Sequence, residues 1–84
     1  MAQVAEVITI DRDADAAYIR FSRDASVRTE ALNEFLNVDL DSSYRVVGVE
    51  LLSLDEEIPF GDLAAKYHLP ADFIESLKEQ WFAS

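Results

Sequence analysis

Asp11, Asp13 and Asp15 recur at every second position of the run DRDAD. A calcium loop opens with this spacing, because a hard cation needs several carboxylate oxygens converging on one point. The rest of such a loop is missing: Ala16 stands where its glycine belongs, and Ser22 where a bidentate glutamate would close the shell. The run therefore reads as a turn, in which Asp side chains bond nearby backbone amides. A second carboxylate set is Asp39, Asp41 and Glu50, the first two on one face of the segment LNVDLD and the third on a neighbouring strand. Three converging carboxylates could serve acid-base or metal chemistry. A solvated outer face produces the same pattern, so the set is read as an acidic surface cluster.

His68 is the only histidine, and there is no cysteine, so a zinc site would have to be completed by carboxylates. Its place near the end of a helical segment suits capping or packing, since an imidazolium is stabilised by a helix C-terminus. No nucleophile and base pair is evident. The expectation is a protein that is not an enzyme, with no catalytic residues, no cofactor and no metal.

Two short helices around a tight connection, in DLAAKYHLPADFIESLKE, have the spacing of a helix-turn-helix. Against DNA reading, the second helix offers only Lys78 beside Asp72, Glu75 and Glu79, whereas recognition helices present basic or amide groups. Trp81 and Phe82 are candidate interface residues, aromatic side chains being the usual anchors of partner pockets. Phe82 lies off the stripe of Phe73, Leu77 and Trp81, so it is expected against the first helix or another chain.

These side chains must be positioned by strands and helices whose signals are periodic. Val4 to Ile10, Ala16 to Ser22 and Val27 to Leu32 read as strands, the third polar enough for a sheet edge. LNVDLD has the clearest period of two, with Leu36, Val38 and Leu40 pointing one way. VVGVELL is apolar on both faces except at Glu50, as in a strand near the middle of a sheet. Gly48 within it marks a close approach of another backbone, and with Val46 is a candidate interface position. Beyond Pro59 the period changes: Phe60, Leu63, Ala64 and Tyr67 form one helical stripe, and Phe73, Ile74, Leu77 and Trp81 another. Pro70 ends the first and opens the second.

The expected fold is α+β: an antiparallel β-meander of four to five strands over residues 1–54, then two short helices over 59–82 packed on the sheet. Eighty-four residues hold one domain, 1–84, and half of them are apolar. The pattern leaves the order of strands open. Met1 to Glu6 lack the basic start and apolar run of a signal peptide, and no apolar stretch approaches about 18 residues, so a cytoplasmic protein without a membrane span is expected. Seventeen carboxylates against seven Lys and Arg give a formal charge of −10, which repels phosphate backbones and anionic lipid.

DRDADAAYIRFS, followed by VRTEAL, NVDLD and VVGVELL, resembles the bacterial family catalogued as domain of unknown function 2283, over about residues 7 to 54. The elements of the resemblance are Asp11 to Asp15, Ala17 to Ile19, Val38 to Asp41 and Val46 to Glu50. Tyr44 departs from it, standing where the family often carries glycine just before the basic residue of the turn. The resemblance implies a small sheet-forming protein with no agreed catalytic residues.

The functional expectation is a non-catalytic protein-interaction module, self-associating as a homodimer because an open sheet leaves a face or an edge to cover. Nucleic acid is not the expected partner. The alternative is an antitoxin-like or transcriptional regulator whose helix pair binds DNA or a basic partner protein. A carboxylate-based enzyme built on Asp39 and Glu50 is the third reading.

Overall fold

The computed structural model describes residues 7–83. Its elements are β1 (Val7–Asp11), β2 (Ala16–Arg20), β3 (Arg28–Asn33), β4 (Leu36–Leu40), β5 (Val46–Leu51), α1 (Phe60–Tyr67) and α2 (Ala71–Phe82). Val4, Ala5 and Glu6 of the expected first strand lie outside the described residues. The five strands form one open antiparallel sheet in the order β1-β2-β5-β4-β3. A hairpin (β1, β2) and a three-stranded meander (β3, β4, β5) are joined where β2 pairs with β5. The central place thus falls to the strand that is apolar on both sides.

Asp11–Asp15 forms the turn of the hairpin. The Ala14 amide donates to Asp11 Oδ1 at 3.1 Å and the Asp15 amide to the Arg12 carbonyl at 3.3 Å. Asp15 takes a left-handed φ of 54°, a region that Asp enters more readily than most residues. Its carboxylate accepts from the Leu54 amide at 3.1 Å and so ties the hairpin to the chain leaving β5.

One sheet face carries Ala17, Ile19, Phe21, Leu36, Val38, Leu40, Val49 and Leu51, and α1 and α2 cover it with Phe60, Leu63, Phe73, Ile74 and Leu77. Leu36, Val38, Leu40 and Leu63 are 0% exposed, so sheet and helices share one core. Phe21 and Phe73 meet edge to face with ring centroids 5.0 Å apart. Val46, a candidate interface residue by sequence, is 3% exposed in this core opposite Leu40, so it packs within the chain. α1 follows Pro59 and ends at His68, whose left-handed φ of 55° makes it the C-cap. Pro70 stands just before α2, as its N-cap.

β3 lies at the sheet edge, as its polarity suggested, with a register shift between Ala31 and Asn33. Glu30, opposite Val38, is on the covered face and accepts from Tyr67 Oη of α1 at 2.9 Å and from the Tyr44 hydroxyl. In the β4–β5 turn, Asp41 accepts from the amides of Ser43 (2.8 Å) and Arg45 (2.9 Å). These amides, the Arg45 amide first, hold the Asp41 carboxyl below the usual carboxylate range. Tyr44 has a left-handed φ of 66°, the conformation that favours glycine, so the turn keeps a glycine geometry under a tyrosine.

Without α2 the sheet loses Phe73, Ile74 and Leu77 from its cover, at about 1.5–3 kcal/mol for each large side chain exposed. A chain ending at Pro70 is expected to show no cooperative transition in a urea titration followed by circular dichroism, given total stabilities of about 5–15 kcal/mol. Leu77→Ala is expected to unfold cooperatively at lower urea, with a loss of about 2–5 kcal/mol. A truncated chain as stable as the full one would mean that the helices do not complete the core.

Candidate functional site

The sheet face away from the helices is built from two cross-strand rows. Thr9, Tyr18, Glu50, Asn37 and Ala31 stand opposite one another in one, and Val7, Arg20, Gly48, Asp39 and Thr29 in the other. Tyr18 reaches diagonally from its row across β5 and donates from Oη to Asp39 Oδ2 at 2.8 Å. Thr29 donates from Oγ1 to the other oxygen, Oδ1, at 2.6 Å. One carboxylate on β4 therefore links β2, β4 and β3, above the strand that lies between β2 and β4. The Arg20 guanidinium carbon is 6.0 Å from the centre of the Tyr18 ring.

Gly48 makes this crossing possible. A Cβ there would lie 2.1 Å from the Tyr18 hydroxyl oxygen and 2.6 Å from Cζ, inside any real contact distance. The close approach that glycine signalled is therefore that of a side chain and not of a backbone. Gly48 is buried beneath the Tyr18 ring.

Burial, then the bond to Asp39 and the nearby charge, push the Tyr18 phenol up to about 12. It keeps its proton at neutral pH and acts as a donor. Asp39 in turn has one hydrogen-bond donor on each carboxylate oxygen, an arrangement that fixes the face.

The acidic set expected at Asp39, Asp41 and Glu50 does not come together. Asp39 faces outward beneath Tyr18, Asp41 is buried as the acceptor of the turn amides, and Glu50 is exposed opposite Tyr18. Among the described residues no group of three His, Cys, Asp or Glu side chains is placed to hold a metal ion. Beside Tyr18 lies a hollow of about 280 Å³ lined by Thr9, Asp11, Ala14, Ala16 and Glu50.

A second hollow, about 470 Å³, lies on the helical side between the connector 52–59 and the end of α2. Ile58, Phe60, Trp81 and Phe82 supply its apolar lining, and Asp55, Glu56 and Glu57 its acidic wall. Phe82 touches the first helix, its ring centroid 6.3 Å from that of Phe60, yet is 77% exposed. Lys78 also lines the groove, with Nζ 3.9 Å from Glu75 and 5.8 Å from the Phe60 ring centre. Sequence reasoning named Trp81 and Phe82 but not the groove. The signal available was the acidic run Asp55–Glu57 directly before the apolar Ile58 and Phe60.

No described helix is long and apolar enough to cross a membrane. The chain belongs to the family described as Protein of unknown function (DUF2283), whose model matches residues 7–54. No curated protein and no solved structure matches it. The matched stretch contains Tyr18, Thr29, Asp39, Gly48 and Glu50, hence the whole outer-face arrangement, whereas most of the groove lies beyond it.

Gly48→Ala is expected to destabilise by about 1–3 kcal/mol, because the new methyl displaces the Tyr18 ring from Asp39. In a Tyr18→Ala background the same change should cost less, the cycle showing a coupling of about 0.5–3 kcal/mol. Equal costs in both backgrounds would deny that Gly48 serves Tyr18. The folded phenol titrates higher than the unfolded one, so Tyr18 contributes stability that is whole below pH 10.0 and is lost as pH rises toward about 12. Urea midpoints measured across that range should fall for the native chain and fall less steeply for Tyr18→Phe.

Proposed function

We propose that this member of the family is a non-catalytic interaction module that self-associates through the open edge of β1. The edge itself carries the reading. Among the described residues β1 pairs only with β2, and its sequence VITID runs without proline, bulge or charge until Asp11. The opposite edge, β3, has the usual protections, with charges at Arg28 and Glu30 and a register shift. One edge with these protections and, across the sheet, one regular β-branched edge without them support pairing at β1.

Antiparallel pairing of two β1 strands about a two-fold axis gives an isologous contact and one continuous sheet through both copies. Thr9, exposed at the middle of the five-residue strand, then lies beside its own copy. The other polar groups favour no catalytic reading, since Asp15, Glu30, Asp39 and Asp41 each accept hydrogen bonds from the chain's own groups. DNA reading by α2 gains no support from the exposed Asp72, Glu75 and Glu79.

Light scattering coupled to size exclusion is expected to give a dimer at micromolar concentration, favoured by added salt because both copies carry the charge of −10. Thr9→Lys and Thr9→Glu should each be monomeric, since like charges directly opposite across a strand pair repel, and mixing the two should restore a dimer. A native chain that is monomeric throughout, or a dimer indifferent to both charges, overturns the β1 assignment.

A further inference from the structure

We infer that the groove between the connector and α2 is a docking site for a basic, amphipathic segment of another protein. This goes beyond self-association and uses a different part of the surface. The lining and the wall of the groove differ in chemistry. The lining is apolar, from Ile58 and Phe60, which the core holds in place, and from Trp81 and Phe82, which stand in the last turn of α2. Phe82 is the most exposed large apolar side chain described. A large aromatic ring left mostly in water beside an apolar hollow is the usual form of an interface anchor.

The wall chooses the partner. Asp55, Glu56 and Glu57 are exposed and consecutive along one side. The lining cation, Lys78, has Glu75 beside it, leaving the groove acidic. A second copy of this chain, itself at −10, would bring acid to acid. An anionic membrane surface or a nucleic acid would do the same. A segment with an apolar stripe flanked by Lys or Arg meets both features at once: its apolar side chains enter the hollow of about 470 Å³ while its cations face the acidic wall.

Trp81 is the only tryptophan and lines the groove, so its emission reports occupancy directly. The probe is a short synthetic helix-forming peptide of leucine and lysine with its leucines at i, i+3, i+4 and i+7. Saturable change of Trp81 emission is expected, weakening as salt is added. Binding should weaken about tenfold or more in the full-length variant Asp55→Asn/Glu56→Gln/Glu57→Gln, and again in Phe82→Ser. These positions are all exposed, so the variants should fold, and the circular dichroism of each checks that.

The inference is overturned by no change with this peptide, or by an equal response to a peptide with glutamate in place of lysine. It is likewise overturned by equal binding of a lysine peptide with scattered leucines, or by undiminished binding to the triple variant. A shift of Trp81 emission with protein concentration alone would give the groove to a second copy and also overturn it. None of these readings depends on the mass of the Thr9 variants, so failure of the dimer and failure of the groove are separate results.

Discussion

β5 is apolar along both of its sides except at Glu50 and occupies the middle of the sheet, so it must be covered twice, and most of the architecture follows from how this is done. On one side the answer is conventional: two helices lay Leu63, Phe73, Ile74 and Leu77 across the strands. On the other side no described element packs. The cover there is the Tyr18 ring, lying over Gly48 and held at its far end by Asp39. A side chain at position 48 would push it away, and a residue other than an acceptor at 39 would leave the phenol without its partner. Small size at one position, an aromatic reach at another and a carboxylate at a third are thus a single requirement spread over three strands.

The negative charge of the chain divides along similar lines. Several carboxylates are internal acceptors that fasten one segment to another. Asp15 joins the hairpin turn to the chain after β5, Asp41 closes the β4–β5 turn, Asp39 ties three strands, and Glu30 joins the β3 edge to α1 and to Tyr44. Glu30 is held below its usual carboxylate range by the two phenols that donate to it, Tyr44 first and Tyr67 second. These groups already have partners. Others, at Asp55–Glu57 and along the outer side of α2, face solvent and set the field around the molecule.

Much of the fold was legible because the two periods are clean. LNVDLD could bury only one side, VVGVELL had to lie in the middle, and the stripes at Phe60–Tyr67 and Phe73–Trp81 could form only helices that dock. The pairing of β2 with β5 was not legible, because period two fixes which side a residue faces and says nothing of which strand lies beside it. The same gap hid the partnership of Tyr18 with Asp39, 21 positions apart in the chain. Once β5 stands between their strands, the glycine opposite Asp39 explains itself. The grouping of Asp39, Asp41 and Glu50 failed for a local reason: β4 ends at Leu40, and Asp41 turns its oxygens to the amides of the following turn.

The family match ends at residue 54, yet the core does not. Leu36, Val38 and Leu40 lie inside the matched stretch and are fully buried, in the same cluster as Leu63, Phe73 and Leu77 from beyond it. The matched stretch thus supplies a sheet with one side finished by its own Tyr18 and the other side needing a cover. In this chain the cover is α1 and α2, and bringing them over the sheet takes the connector 52–59, which carries the acidic run past the end of α2. The groove is therefore a product of the way this chain completes its sheet, whereas the Tyr18, Gly48 and Asp39 crossing belongs to the matched sheet itself. A surface formed by the covering elements can change with those elements while the sheet and its Tyr18 crossing stay the same.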